Sequence, residues 1–338
     1  MKIAQLVRPN ILSLEPYSSA RDEYQGTEGV FLDANENPYG TLNRYPDPHQ
    51  TILKKAISNE KHLSVNQIMI GNGSDEIIDL AIRIFCEPGK DKVLVCSPTY
   101  GMYRIAADIN NVEVVDVPLS EDFQLNTQLL LEVAESENVR IVFLCSPNNP
   151  TGNLLKDIGI VLRRFEGIVF VDEAYIDFCS QKSLVEKLDE FPNLIVSQTF
   201  SKARGLANAR VGMAFAAPEI IEFFNRVKPP YNVSGINQRA AVDALKDREG
   251  FQRNLYSILS EREKVIEALK KLRVIKKIFP TEANFVLVQC AHADYVYQRL
   301  IEKKVIVRNR STQIPDALRI SIGTPEENRL LIKTLKEI

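Results

Sequence analysis

Four short apolar runs set the strongest limit on this chain: Lys92 to Cys96, Val139 to Cys145, Ile168 to Val171, and the run opening at Leu194-Ile195-Val196. Largely apolar runs this short, bounded by turn residues, fit buried strands rather than helices. Each delivers a polar loop at its carboxyl end. The loops are Ser97-Pro98-Thr99-Tyr100-Gly101, Ser146 to Gly152, Asp172-Glu173-Ala174-Tyr175, and Thr199-Phe200-Ser201-Lys202. In an open α/β sheet, ligands bind outside the carboxyl ends of the strands, so these loops are where a site belongs.

Further elements extend the pattern. Ile68-Met69-Ile70 leads into Gly71-Asn72-Gly73-Ser74-Asp75-Glu76, and the helical rhythm of Ile77, Ile78, Ala81, Ile82 and Phe85 follows. Glycines before a helix, with Ser74 at the expected cap, leave backbone N–H groups free to seat an anion such as a phosphate. The stretch is neither a dinucleotide fingerprint nor a Walker loop, because Glu76 takes the sixth position and no Gly-Lys-Ser/Thr follows. Val112 to Pro118 and Arg210 to Phe215 read as strands, and Leu125 to Val133 as a helix. Phe31-Leu32 reads as a short strand breaking into the turn at Asp33 to Gly40. Asn149 precedes Pro150, which biases its backbone away from the helical region.

From about residue 236 the pattern changes. Amphipathic helices (Ala240 to Lys246, Leu255 to Leu272) alternate with short strands at Asn284 to Val288, Val305 to Arg308 and Leu318 to Ile322. Thr324-Pro325-Glu326-Glu327 is a capping box opening the last helix. The expected organisation is an arm over 1–27, a large domain over 28–235 and a smaller α/β domain over 236–338. A length of 338 residues suits two domains.

Composition narrows the function. A net charge of -2 with no basic stripe argues against nucleic acid as a partner. No apolar stretch is long enough to span a membrane, and Met1 to Pro9 lacks a signal-peptide pattern. The five cysteines show no metal spacing and read as reduced thiols, which points to the cytoplasm. Three scattered histidines argue against a metal site or a Ser-His-Asp triad.

Each loop residue alone has an ordinary structural reading: a strand-end lysine in solvent, an aspartate capping a turn, a tyrosine packing at a boundary. Together they describe a seat for a phosphorylated, cationic-ring aldehyde, and pyridoxal 5'-phosphate fits each piece. Lys202 would hold the aldehyde as a Schiff base, and Asp172 would pair with the ring N–H. Tyr175 and Asn149 would bond the ring oxygen, and Tyr100 would lie against the ring. Gly73, Ser74, Asp75, Thr199, Ser201 and Arg210 would surround the phosphate, with the Asp75 N–H facing the anion and its carboxylate turned elsewhere.

On these motifs the sequence resembles the histidinol-phosphate aminotransferase family of fold-type-I pyridoxal-phosphate enzymes. Asn35-Glu36-Asn37-Pro38, Arg44-Tyr45-Pro46, Asn148 to Gly152, Ser201-Lys202-Ala203 and Leu318 to Gly323 carry the resemblance with the loops above. It implies a mostly parallel sheet flanked by helices plus a smaller C-terminal α/β domain. It also implies ping-pong transamination between L-histidinol phosphate and 2-oxoglutarate, giving imidazole acetol phosphate and L-glutamate in histidine biosynthesis. Lys202 would be the proton-transfer base, with Asp172 and Tyr175 beside it.

The resemblance further implies a homodimer with shared sites, in which Tyr45 reaches the cofactor phosphate of the partner subunit. Tyr17, Asn35, Asn149, Arg308 and Arg319 would contact substrate. One departure stands out: after Ala203 the family has a bulky apolar residue, then Gly-Leu-Ala-Gly-Leu-Arg, where this chain has Arg204 and then Asn208-Ala209 before Arg210. That departure bears on the substrate rather than the cofactor. Competing readings are an aromatic amino acid aminotransferase or a threonine-phosphate decarboxylase of the same fold, a pyridoxal-phosphate-binding regulator without turnover, and a nucleotide-binding α/β protein.

Overall fold

The computed structural model describes residues 2–17 and 29–338. Its centre is a seven-stranded sheet. The strands are β1 (Ile68–Asn72), β2 (Lys92–Val95), β3 (Glu113–Asp116), β4 (Val139–Cys145), β5 (Ile168–Asp172), β6 (Leu194–Thr199) and β7 (Val211–Ala216). Their spatial order is β1-β7-β6-β5-β4-β2-β3. All run parallel except β7, which is antiparallel to both of its neighbours. Every residue of β5, β6 and β7 is buried. This is why their sequences show no polar alternation: both faces of the sheet are covered.

Alternate side chains feed two cores. Met69, Val93, Phe143, Phe170, Ile195 and Ala214 pack under helices Ser74–Phe85, Met102–Ile109 and Pro218–Val227. Ile70, Leu94, Val142, Val169, Val196 and Phe215 pack under helices Thr51–Lys61, Thr127–Ser136, Ile158–Arg164 and Gly235–Lys246. The first core also takes Ile3, Val7 and Ile11 from the N-terminal segment. Helix Gly235–Lys246 contributes Ala241 and Leu245 to the second.

A four-stranded antiparallel sheet follows, ordered β10-β11-β9-β8. Its strands are β8 (Ile275–Ile278), β9 (Phe285–Cys290), β10 (Arg308–Asn309) and β11 (Ala317–Ser321). Helices Arg248–Leu269, Ala293–Glu302 and Pro325–Lys336 enclose its core around Val265, Val288, Leu300, Leu318 and Leu331. The capping box at Thr324 and Glu327 forms as read. A fourth cluster joins the two sheets: Tyr175, Phe178 and Ala203 meet Ala283 and Phe285.

Several expectations are corrected. Phe31-Leu32 forms no strand; Leu32 is exposed, and the Phe31 carbonyl accepts from Arg44 Nη1 at 3.1 Å instead of from a ladder. Ser74 is not the helix cap; Gly73 takes that place and Ser74 is the first helical residue. The strand read over Val112 to Pro118 is the four-residue edge strand β3, and the one over Val305 to Arg308 is only the short β10. β8 has no signature in the sequence, because its two lysines hide a short half-buried strand.

Candidate active site

Strand direction builds the site. β1, β2, β4, β5 and β6 end at one edge of the large sheet. β6 and β7 are joined by a connection too short for a crossover, so β7 must return antiparallel. Arg210, just before β7, therefore lands at the same edge as Lys202, just after β6. A cavity of about 360 Å³ opens there. Ser74, Asp75, Tyr100, Asn149, Asp172, Tyr175, Thr199, Ser201, Lys202 and Arg210 line it, and Arg308 and Arg319 close it from the small sheet. That volume lies within the usual range of small-molecule sites.

One end is an anion seat. Helix Ser74–Phe85 points its N-terminus at the cavity, where the first-turn N–H groups have no partner within the helix. Gly73 holds φ +79°, and a Cβ there would meet Arg210 Nη2 at 2.5 Å. Gly212 packs so closely on this turn that its own Cβ would lie 2.4 Å from the Gly73 carbonyl carbon and the Ser74 nitrogen. The Arg210 guanidinium is anchored by Ser201 Oγ at 3.5 Å and the Ala207 carbonyl at 3.4 Å. The Asp75 carboxylate does not turn away as expected. It lines the cavity, accepting from Tyr100 Oη at 3.0 Å and pairing with Arg210 at 3.4 Å, because these two donors stand on either side of it.

The floor carries the buried carboxylate. Asp172, the last residue of β5, is buried. Its Oδ2 accepts from Tyr103 Oη at 2.8 Å; its Oδ1 accepts from Ser197 Oγ and the Ala174 N–H, each at 3.1 Å. Burial raises its pKa above the ordinary aspartate value, and these three donors pull it back toward the charged form. Neighbouring Glu173 is also buried but serves structure, bonded to Ser183, Leu184 N–H and Gln198.

Lys202 stands over the Tyr175 ring, its Nζ 5.6 Å from the centroid. Burial depresses its pKa, Arg319 and Arg210 depress it further, and Asp172 and Asp75 oppose them. A lysine placed this way sheds its proton more easily than one in water, as a nucleophile or base requires. Asn149 Nδ2 donates to Tyr175 Oη at 3.5 Å, and its Oδ1 accepts from Arg319 Nη1. The Ser97-Pro98, Ser146-Pro147 and Asn149-Pro150 bonds beneath this wall are cis.

Three of the expected residues lie elsewhere in this chain. Tyr45 stacks on Tyr231 with centroids 4.4 Å apart, Tyr17 is exposed, and Asn35 sits at positive φ on an exposed turn. The departure at Arg204 resolves away from the cavity. Its guanidinium pairs with Glu60 at 2.5 Å, donates to the Ala244 carbonyl and covers the Phe251 ring at 3.8 Å. Sequence reasoning missed Tyr103, Ser197, Cys145, Ala174 and Arg310. Tyr103 and Ser197 lie inside a helix and a strand, where only the register reveals them. Arg310 lies just past the two-residue strand β10, where no strand periodicity marks it.

The set fits pyridoxal 5'-phosphate: an anion seat that a Cβ would fill, a buried carboxylate and a deprotonation-prone lysine, all lining one cavity. Comparison with known proteins agrees. The model of the family aminotransferase class I and II matches residues 25–335. A histidinol-phosphate aminotransferase of Cytophaga hutchinsonii is 48% identical, over 98% of this chain and 97% of its own. One from Parabacteroides distasonis is 49% identical over 99% of each. Among solved structures, a histidinol-phosphate aminotransferase from Sinorhizobium meliloti in complex with pyridoxal-5'-phosphate superposes with a TM-score of 0.79. It is 26% identical and covers 90% of this chain and 89% of its own.

Proposed function

This chain belongs to the aminotransferase class I and II family, and from that membership and the cavity we propose that it moves the amino group of L-histidinol phosphate to 2-oxoglutarate. The products are imidazole acetol phosphate and L-glutamate, a step of histidine biosynthesis. The observation that carries the reading is a cavity with a lysine of lowered pKa and a buried aspartate from the large sheet and arginines from the small sheet.

Bound pyridoxal 5'-phosphate supplies an electron sink for the substrate carbon that exchanges its amine. Arg210, Ser201 and the N–H groups of Ser74 and Asp75 would bind the cofactor's phosphate. Asp172 would hold the proton on the ring nitrogen. Tyr175 and Asn149 would bond the ring oxygen, and Tyr100 would lie against the ring. The Lys202 amine, whose pKa burial and then Arg319 lower, would take the proton from the substrate carbon that bears the amine. Arg308 and Arg319 hold the anionic end of each substrate in turn, since a guanidinium fork accepts phosphate and carboxylate alike.

A homodimer is part of the proposal. Large exposed apolar side chains concentrate in one stretch, Val30, Leu32, Tyr39, Leu42 and Ile52, which suits burial against a second copy. Tyr45 lies in the same stretch, outside its own chain's cavity, where it could serve a partner's site. The five unpaired cysteines, four of them buried, suit a reducing cytoplasm. No helix among the described residues is long and apolar enough to cross a membrane.

The test is a donor panel with 2-oxoglutarate: histidinol phosphate, phenylalanine and threonine phosphate. Histidinol phosphate should give the highest kcat/KM. Lys202→Ala should abolish turnover, and borohydride-treated wild-type protein should carry the cofactor on the peptide containing Lys202. Preference for another donor, or label on another peptide, would overturn the reading.

A further inference from the structure

Three arginines, not two, face the cavity from the small sheet. Arg308 and Arg319 are direct cross-strand partners, and Arg310 lies beyond Arg308 on the same hairpin, its N–H bonded to the Ala317 carbonyl at 2.8 Å. They are not equivalent. Arg319 is already fixed, donating to Asn149 Oδ1 with its guanidinium 5.2 Å from the Phe285 ring centroid. Arg308 is exposed at the rim. Arg310 is half-buried; its Nε is out of reach of solvent and has no hydrogen-bond partner.

No carboxylate pairs with any of the three among the described residues. Burial and mutual repulsion lower the pKa of Arg310 and Arg319 alike. Such a cluster is uphill until an anion enters it. A carboxylate offers one negative charge and two oxygens, enough for one fork. A phosphate monoester offers three oxygens and nearly two charges at neutral pH.

We propose that Arg310 is a specificity-determining residue, a third guanidinium that makes the distal end of the cavity prefer a phosphate monoester over a carboxylate. It acts by adding its guanidinium, which lines the cavity without a carboxylate partner among the described residues, to an anion that Arg308 and Arg319 already hold. A carboxylate-bearing substrate is satisfied by Arg319 and gains less from Arg310. The inference rests on the phosphate-bearing donor proposed above.

The test compares holoenzyme with Arg310→Gln and Arg310→Lys. The two half-reactions are followed separately, with histidinol phosphate and with glutamate. Loss of one charge-assisted bond should lower the ratio of kcat/KM for histidinol phosphate over glutamate about tenfold to a hundredfold in R310Q. The change should sit mainly in KM, and R310K should keep most of the ratio. A ratio within twofold of the unsubstituted enzyme, or an R310K as poor as R310Q, overturns the assignment.

Butyl phosphate, which has no amine, separates this inference from the choice of donor. It should compete with glutamate in the unsubstituted enzyme and lose that competition about tenfold in R310Q. That result upholds Arg310 as a phosphate reader even if histidinol phosphate proves not to be the donor. Equal inhibition of both proteins, or of neither, rejects it.

Discussion

Replacing Tyr103 with phenylalanine removes a single oxygen from the floor of the site. The tyrosine has no solvent exposure, and its ring stacks on Phe143 with centroids 4.9 Å apart, so phenylalanine keeps the packing. Its hydroxyl donates at 2.8 Å to Asp172 Oδ2 and is the largest of the contributions drawing that buried carboxyl back toward ionisation. A hydrogen bond to a charged group is worth about 1.5–3 kcal/mol, or roughly one to two pKa units on Asp172. The sign follows from where the folded pKa lies. Asp172 is already raised above its unfolded value, so its ionisation costs folding free energy at pH values above the folded pKa and costs nothing below the unfolded one. Tyr103→Phe raises it further. The variant should therefore be less stable than the parent by about 1.5–3 kcal/mol at pH values above its own Asp172 pKa. The gap should close as the pH falls through the Asp172 pKa. Urea unfolding of both proteins, freed of cofactor, across a pH series measures this difference directly. A loss equal at all pH values would mean that packing was disturbed, and no loss at neutral pH would mean that the hydroxyl does not hold the charge. Either result refutes the assignment of Tyr103 as the group that positions and charges Asp172.

Two other substitutions test other parts of the structure. Gly212→Ala drives a methyl into the backbone of Gly73 and Ser74, so it should cost about 1–3 kcal/mol by overpacking and loosen the anion seat; thermal unfolding and titration with pyridoxal 5'-phosphate report the two effects, and an unchanged Tm counts against the close approach. Lys54 is buried near Lys228 and titrates at about 8 instead of 10.5, so the unfolded chain binds more protons between those values and stability should rise with pH across that window. Lys54→Met should stabilise the protein by about 2–3 kcal/mol at pH 7, with the advantage gone by pH 10.5; an advantage independent of pH would point to packing instead.

The cofactor end of the site was legible because each of its residues follows an apolar run. Asp172, Lys202 and Asn149 are fixed by strand ends, and the loops between Gly71 and Glu76 and between Ser97 and Gly101 are short. Arg210 could be placed because the β6–β7 connection leaves β7 nowhere else to go. What the sequence did not show is set by register. Tyr103 and Ser197 touch Asp172 only because a helix and a neighbouring strand present those positions to it. The Asp75 carboxylate follows the donors beside it rather than the direction inferred from charge alone. Arg204, a departure from the family pattern, read as a change near the substrate, yet its partner Glu60 lies in a helix far away in the chain. The missed β8 shows the other limit: a half-buried strand carrying Lys276 and Lys277 has no apolar run to find.

The two sheets carry separate hydrophobic cores, and the cavity lies between them beside one shared cluster in which Phe285 packs edge-on against Tyr175 with centroids 5.1 Å apart. A ligand with negative charge at both ends is thus a cross-brace between them, tied to a helix N-terminus in one and to a hairpin of arginines in the other. Pulling the cores apart must first break that brace, so occupancy should shield the connecting chain near Asp247 from proteases more than it shields the interior of either core.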